Sequence, residues 1–302
     1  MTWTLTEDLD AFMAAAGDFL RSRPVQNTIQ LTQTDKLTAA GGSGYSSAAP
    51  LYGWWRSVPG PAADQGGAAG DSAGNGAAGG TVECALLHTP PYPVLLTRLP
   101  AGSARPLAAE LFERGRQLAG VNAEQDDAAE FAAAWGSLAG GRAQELGRSR
   151  LFRLGQLTPA APPPRGAARV ASAADSDLLE AWFAACAREI GDMAGPVSGA
   201  VDDYLSYGGL TLWEADGTAA SMAGVKRPAA GVARVGPVYT PAGQRRRGYA
   251  GAVTAAVSQA ALDAGAQHVV LFTDLANPTS NALYQRIGFR PVADRAVLSF
   301  GG

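Results

Sequence analysis

The second half of the chain alternates between hydrophobic patterns of helical and of extended periodicity. Apolar residues recur every three or four positions in several stretches, and we predict helices over 175–190, 201–207, 248–264 and 278–287. Shorter apolar runs bounded by turn residues predict strands over 210–214, 219–226, 232–239, 268–273 and 289–300. Helices that alternate with short strands are typical of an α/β or α+β domain.

The first half shows a looser version of the same order. We predict helices over 6–21, 107–118 and 126–138, strands over 51–56, 81–88, 93–99 and 120–122, and a closing segment over 146–157. No repeat is visible letter by letter, so the order of elements alone indicates two related domains. The length of 302 residues also fits two domains.

Two stretches of unusual composition separate these elements. Residues 60–80 are almost all Gly, Ala and polar residues, which offer too little apolar surface to bury, so we predict a flexible loop. Residues 158–166 (TPAAPPPRG) predict a semi-rigid, extended linker. We therefore place a first domain at 1–157, the linker at 158–166 and a second domain at 167–302.

Composition and charge narrow the range of functions. With 47% hydrophobic and 17% charged residues and a net charge of −3, the chain is globular and lacks the basic surface of a nucleic-acid-binding protein. The sequence opens on a polar, acidic segment and has no apolar run of membrane length, so we expect a cytoplasmic protein without membrane contact. Two cysteines, expected as buried reduced thiols, and two histidines are too few for the familiar zinc sites, and we expect no metal.

The most informative local feature is the segment 239–250 (YTPAGQRRRGYA), where a strand ends and a helix starts at Gly248 after a loop. The free N–H groups of a first helical turn favour an anion, and the small Gly248 and Ala250 leave the backbone accessible. Three adjacent arginines, residues 245–247, add charge that suits a pyrophosphate. On composition alone, a solvated basic loop is an equally good interpretation.

A second feature is the short helix that follows the last buried strand, with the sequence NPTSNALYQRIGF from Asn277 onward. At 100° per residue, Asn277, Asn281 and Tyr284 share one face, whereas Leu283 and Ile287 lie on another face that can pack on the sheet. Tyr284 is therefore predicted beside the amides and away from the core. The plainer alternative is a tyrosine whose ring packs with its hydroxyl at the surface.

A third feature is the Gly236-Pro237 pair inside an apolar strand. Because proline cannot donate to a strand ladder, the pair predicts a bulge or a local loss of pairing. Backbone groups left unpaired there can bind an extended ligand that carries amides. An ordinary edge strand is the alternative.

These three features, in this order, resemble the GNAT superfamily of acyl-CoA-dependent N-acyltransferases. RRRGYA at 245–250 is similar to the pyrophosphate loop of that family, and residues 277–289 are similar to its C-terminal helix motif. The resemblance covers residues 169–302 and extends to the first half through element order alone. It implies two GNAT-like domains, each a mixed, mostly antiparallel sheet flanked by helices, with a splayed parallel strand pair in the second. The loop of the first copy, residues 100–106, departs from the motif, so we expect that copy to bind no cofactor.

The resemblance implies acetyl-CoA as the cofactor, held between the splayed strands. The residues implied to bind it are Val238, Tyr239, Thr240, Arg245, Arg246, Arg247, Gly248, Tyr249, Ala250, Gly251, Asn277 and Asn281. It also implies direct attack of a primary amine on the thioester in a ternary complex. A backbone N–H near Val238 would then stabilise the oxyanion, and Tyr284 would protonate the thiolate that leaves.

The base that deprotonates the amine and the identity of that amine stay open. Glu214, at the end of the first strand of the second domain, is one candidate base, and a water relay to solvent is the other. The acceptor is expected to be an amine-bearing small molecule or a peptide, the acyl group can be acetyl or longer, and a homodimer is an open option. For the first domain, Trp54, Trp55 and Tyr92 are either a wall of the acceptor cleft or core aromatics.

Two other functions stay in view. A non-catalytic acyl-CoA-binding or scaffold protein of the same fold predicts affinity for the cofactor without turnover. A protein-interaction module, with the arginine loop merely solvated, predicts no affinity for coenzyme A at all.

Overall fold

The computed structural model describes residues 2–41, 46, 48–57, 80–190 and 197–301. The chain divides into two compact units. Unit 1 draws its residues from 1–23, 33–148 and 295–302, and unit 2 draws them from 24–32 and 149–294. The flexible loop predicted over 60–80 lies outside the described residues, apart from Gly80.

Both halves of the chain run through the same order of elements, β-α-α-β-β-β-α-β-α-β. The first half comprises β1 (Thr2–Thr6), α1 (Leu9–Ser22), α2 (Thr28–Ala39), β2 (Leu51–Arg56), β3 (Val82–His88), β4 (Val94–Leu96), α3 (Ala104–Glu113), β5 (Gly120–Glu124), α4 (Gln125–Ala139) and β6 (Ala143–Leu154). The second half comprises β7 (Ala167–Val170), α5 (Ser176–Ile190), α6 (Val197–Leu205), β8 (Leu210–Ala215), β9 (Thr218–Val225), β10 (Val232–Tyr239), α7 (Tyr249–Asp263), β11 (His268–Asp274), α8 (Pro278–Arg286) and β12 (Phe289–Phe300). The predicted repetition of element order is confirmed. Within the described part of the chain, no helix is both long and apolar enough to cross a membrane.

Unit 2 is built on a mixed sheet with the neighbour order β6, β11, β10, β9, β8 and β7, to which β6 contributes residues 149–154. β10 and β11 are parallel, and the other neighbouring pairs are antiparallel. One face packs on α7 and α8 through Ala233, Val235, Val253, Val257, Leu271 and Ile287. On the opposite face, α5 and α6 pack over β8 and β9. Val25, from the segment 24–32, packs there with Leu151, Val232 and Val270.

In unit 1 the strand order is β1, β2, β3, β4, β5 and residues 295–300 of β12. β4 and β5 are parallel, and the remaining pairs are antiparallel. Its core contains Trp55, which is 3% exposed, while Trp54 is half-buried with its ring 6.5 Å from that of Phe12. Trp55 is therefore a core aromatic, and the hypothesis that it lines an acceptor cleft is wrong.

The compact units differ from the predicted division at residues 158–166. These residues lie within unit 2, where the Thr158 N–H donates to the Ile287 carbonyl (3.0 Å) and the Trp213 indole donates to the Arg165 carbonyl (3.0 Å). The end of β12 joins unit 1 because residues 295–299 pair with β5. The boundaries of the units are thus set by strand pairing between segments that are far apart in sequence, and not by the proline-rich segment.

Candidate active site

The parallel strands β10 and β11 separate at one end of unit 2. They pair from Val232 and His268 to Val235 and Leu271, but β10 continues to Tyr239 and β11 to Asp274. Beyond Val235, the backbone groups of β10 that face β11 have no ladder partner. The predicted splay is confirmed, and it creates a slot lined by peptide groups.

A bulge in β10 produces this separation. Val235 lies opposite Val225 and Val238 lies opposite Ala223, so three steps along β10 match two along β9. Gly236 has φ +144°, a backbone conformation that residues with a Cβ rarely adopt. The Tyr204 hydroxyl donates to the Gly236 carbonyl (2.6 Å) and holds the bulge from the side of α6.

The loop between β10 and α7 presents backbone N–H groups at the same end of the sheet. Gly248 has φ +85° and turns the chain into α7. The first helical hydrogen bond runs from the Ala252 N–H to the Gly248 carbonyl (3.0 Å), so the amides of residues 249–251 precede the helical ladder. Three such amides at the positive end of a helix form a suitable site for a phosphate group. Only the backbone of Tyr249 is available to it, because its side chain is buried in the core.

The three arginines of this loop have different environments. Arg245 donates through Nη2 to both carboxylate oxygens of Glu189 (2.7 Å each) and through Nε to the Thr240 carbonyl (2.9 Å). The hydrogen bonds to Glu189 raise the pKa of Arg245, and they commit its side chain to holding the loop. Arg246 and Arg247 are exposed, and neither has a side-chain partner among the described residues. The charge available to a bound phosphate therefore comes from Arg246 and Arg247.

The two asparagines of α8 also differ in their roles. Asn277 caps the helix, because its side chain accepts from the Ser280 N–H (3.0 Å). Asn281 donates through Nδ2 to the carbonyls of Asp274 (2.7 Å) and Asn277 (2.8 Å). Its Oδ1 is buried and has no hydrogen-bond partner in the described part of the chain. This oxygen can accept a hydrogen bond from a ligand at the end of β11.

Tyr284 lies in the core and not on a separate polar face, so that part of the prediction is wrong. It is 8% exposed, belongs to the same cluster as Ile287, and contacts Phe289 edge to face at 6.1 Å. The reason is angular: Tyr284 stands about 60° from Asn281 and about 60° from Ile287 around the helix, so it faces both sides.

The Tyr284 hydroxyl is a proton donor within this core. Burial raises the pKa of Tyr284 to about 12, and the neighbouring Cys186 thiol adds to this. The hydroxyl therefore keeps its proton at neutral pH.

The structure does not bring Glu214 to these groups. Its carboxylate pairs with Arg169 (2.9 Å), which also binds Asp175 (2.7 Å). Glu214 lies on β8, which β9 separates from β10, at a distance of about 10 Å for two strand spacings. Asp274, in contrast, is a turn residue, since its Oδ1 accepts from the Ala276 N–H (2.8 Å).

Two residues that sequence reasoning missed complete the site. Glu189 fixes Arg245, and Tyr204 fixes the bulge. Both lie on helices that precede β10 by more than 25 residues in sequence, and neither belongs to a local motif. Only the tertiary packing of α5 and α6 reveals them.

Comparisons with known proteins agree with this geometry. Residues 175–289 match the family model described as Acetyltransferase (GNAT) family. No curated protein matches the sequence.

Solved structures share the fold over different lengths of the chain. A GCN5-related N-acetyltransferase from Kribbella flavida matches with a TM-score of 0.51 at 20% identity, over 72% of this chain and 87% of its own. A GNAT-family acetyltransferase from Colwellia psychrerythraea matches over 100% of both chains, with a TM-score of 0.56 and 9% identity. A Drosophila protein matches over 99% of this chain and 98% of its own, with a TM-score of 0.61 and 12% identity. At these identities the likeness concerns the fold, and in the last two cases it includes unit 1.

Proposed function

We propose that the GNAT acetyltransferase domain at residues 175–289 makes unit 2 an acetyl-CoA-dependent N-acetyltransferase that acts on a primary amine. One observation carries the proposal. The open edges of β10 and β11, the amides at the start of α7 and the Asn281 Oδ1 without a partner all lie at the same end of one parallel strand pair. Such a slot fits a ligand that is extended, rich in amides and anionic at one end.

Each part of the slot suits one part of acetyl-CoA. The backbone of residues 236–239 would bind the pantetheine arm as a missing strand would, and Asn281 Oδ1 would accept from one of its amides. The amides of residues 249–251, with Arg246 and Arg247, would bind the pyrophosphate. Arg245 and Asn277 would hold the loop and the helix in place, and their side chains would not contact the phosphates of the ligand.

When bound, acetyl-CoA supplies an activated thioester. A backbone N–H near Val238 would donate to the acyl carbonyl oxygen and would stabilise the negative charge that an attacking amine creates there. Tyr284 would donate its proton to the sulfur that leaves, since burial raises its pKa to about 12 and its hydroxyl is protonated at neutral pH. The proton that the attacking nitrogen loses would return to the phenolate through water.

We propose that water, and not a side chain, accepts the proton of the amine. Glu214 is committed to Arg169 and lies two strands from β10. Deprotonation of the ammonium group through ordered water and solvent needs no side-chain base. The amine then enters the slot neutral and attacks directly in a ternary complex.

Calorimetric titration of acetyl-CoA into the full chain tests the binding step. We expect one site per chain, with affinity that falls as salt rises. Gly248→Glu places a carboxylate at the start of α7 and should weaken binding by about 100-fold or more, because charge-assisted hydrogen bonds to phosphate are lost. Gly217→Glu is the matched control, since Gly217 also has positive φ (+73°) but lies in the β8–β9 turn, with nothing within 4 Å of its Cβ position.

The outcomes separate the proposal from its rivals. Absence of binding to the unmodified protein would refute the acyltransferase function. Binding without acetylation of any amine in a broad screen would favour the non-catalytic acyl-CoA-binding alternative. Equal loss in Gly248→Glu and Gly217→Glu would show that backbone strain, and not the anion site, causes the effect.

A further inference from the structure

Arg234 is a buried cation that the proposed reaction does not use. It lies on β10 one residue before Val235, where pairing with β11 ends. The residue is only partly exposed, and its Nη1 atom is buried without a hydrogen-bond partner in the described part of the chain. A guanidinium carries five N–H donors. A buried donor without a hydrogen-bond partner is energetically unfavourable, because it has lost its contacts with water.

No anion compensates this charge among the described residues. No carboxylate there lies within 4.0 Å of Arg234, although nine other ion pairs involve arginine. Tyr204 is an ionisable neighbour of Arg234, and burial raises the pKa of Tyr204, so its hydroxyl is neutral at neutral pH. Burial also lowers the pKa of Arg234 to about 10, which leaves the guanidinium charged under ordinary conditions.

The position of Arg234 connects it to the reaction slot. It alternates with Val232 along β10 and so lies on the sheet face where Val232 packs with Val25 and Val270, opposite the face covered by α7 and α8. Tyr204, its neighbour, donates to the carbonyl of Gly236 at the bulge. The guanidinium therefore lies beside the point where β10 opens, on the face that Val25, Val232 and Val270 share.

We propose that Arg234 binds a carboxylate of the acceptor, so that the amine substrate of unit 2 is a small amino acid or another amine that carries an acidic group. This inference rests on the proposed function, because it names the acceptor of the same site. A carboxylate would satisfy the free donors of the guanidinium in a two-point interaction. It would also orient the amine at the other end of the substrate toward the bulge.

The first experiment uses the unmodified protein and matched substrate pairs. Initial rates are measured at saturating acetyl-CoA with glycine, β-alanine and γ-aminobutyrate, each against its carboxamide. At least one carboxylate should be preferred over its amide by about 10- to 100-fold in kcat/KM, the range expected for one charge-assisted contact. Equal or better rates with the amides throughout would overturn the proposal.

The second experiment compares Arg234→Gln with Arg153→Gln. Arg153 on β6 and Arg234 on β10 both lie opposite Val270 of β11, and Arg153 is exposed. The Arg153→Gln substitution therefore removes the same charge from the same sheet face, about 10 Å from Arg234. Arg234→Gln should raise KM for the preferred carboxylate by about 10- to 100-fold and leave KM for its amide unchanged. Arg153→Gln should change neither, and equal effects of the two variants would refute a specific contact.

A binding measurement keeps this test independent of turnover. The melting temperature of the protein without acetyl-CoA should rise in the presence of the preferred carboxylate, but not of its amide, and Arg234→Gln should abolish that rise. Absence of a rise with all three carboxylates would overturn the proposal even if acetyl-CoA binds. Failure of acetyl-CoA to bind would instead count against the proposed function.

Discussion

The two units contain the same parallel strand pair, open in one and closed in the other. In unit 2 the facing edges of β10 and β11 do not pair with each other beyond Val235 and Leu271. In unit 1, β4 and β5 pair at Val94 and Leu95, and the guanidinium of Arg295 covers the adjoining carbonyls. It donates to the carbonyls of Leu96 (3.4 Å) and Asn122 (3.0 Å) and to the Asn122 side chain (3.0 Å).

Further side chains close the slot of unit 1. Asp127, in the first turn of α4, accepts from the Leu99 N–H (3.1 Å). Counted from the residue before each helix, α4 has Ala128 and Phe131 where α8 has Asn281 and Tyr284, and both are fully buried in the core of unit 1. The comparison teaches that the proposed ligand slot of unit 2 consists of backbone hydrogen-bonding groups for which the chain itself provides no partners. Unit 1 satisfies that backbone internally, and we expect it to bind no acetyl-CoA.

The largest effect is expected when unit 2 is made to resemble unit 1 at the reaction centre. Tyr284→Phe reproduces the Phe131 arrangement and should lower kcat by about 100- to 10,000-fold, because the general acid is lost. KM for acetyl-CoA should stay unchanged, since the ring still packs against Phe289. Steady-state kinetics with calorimetric binding checks this, and unchanged kcat would remove Tyr284 from the mechanism.

A smaller effect, on stability, is expected when the slot of unit 1 is opened. Arg295→Leu leaves two buried carbonyls and the Asn122 side chain without their donor, and should lower the free energy of unfolding by about 3 kcal/mol. Urea unfolding measures this loss. The number of acetyl-CoA sites should remain one, because Ala128 and Phe131 persist, and a second site would show that Arg295 alone had blocked unit 1.

The smallest effect is an acid sensitivity that belongs to unit 1. His88 is 1% exposed, and burial, with a contribution from Arg116, lowers its pKa to about 4. The native state therefore binds this proton less readily than the unfolded state, whose histidine pKa is about 6.5, and stability falls as pH drops from 6.5 toward 4. From pH 7.5 to 5.5 the loss should be about 1 kcal/mol. His88→Gln should remove this part of the pH dependence in urea unfolding, and an unchanged slope would assign it to other groups.

Local periodicity predicted most of what surrounds the site. The pattern located α7, β11 and α8 to within a residue or two, because each has caps or an apolar run that its own sequence supplies. It missed α2, whose apolar residues form no helical stripe. It also missed β1 and β7, two short strands at sheet edges.

The remaining errors in the sequence-based predictions involve residues whose partners are far away in sequence. Glu214 was a candidate base until its pairing with Arg169, 45 residues earlier, became visible. Arg295 and Asn122 are 173 residues apart, so no motif search joins them. Tyr284 was assigned to the wrong face because a helical wheel gives the direction of a side chain around the helix. It does not show which residues of the neighbouring sheet the side chain packs against.

The end of β12 has a consequence for how the protein is made. A ribosome that has finished residues 1–157 has released every strand of unit 1 except residues 295–300, and Arg295 is among those still missing. Until the second half is translated, β5 lacks the strand partner that these residues supply. A gene fragment cut at the proline-rich segment therefore encodes neither unit in full.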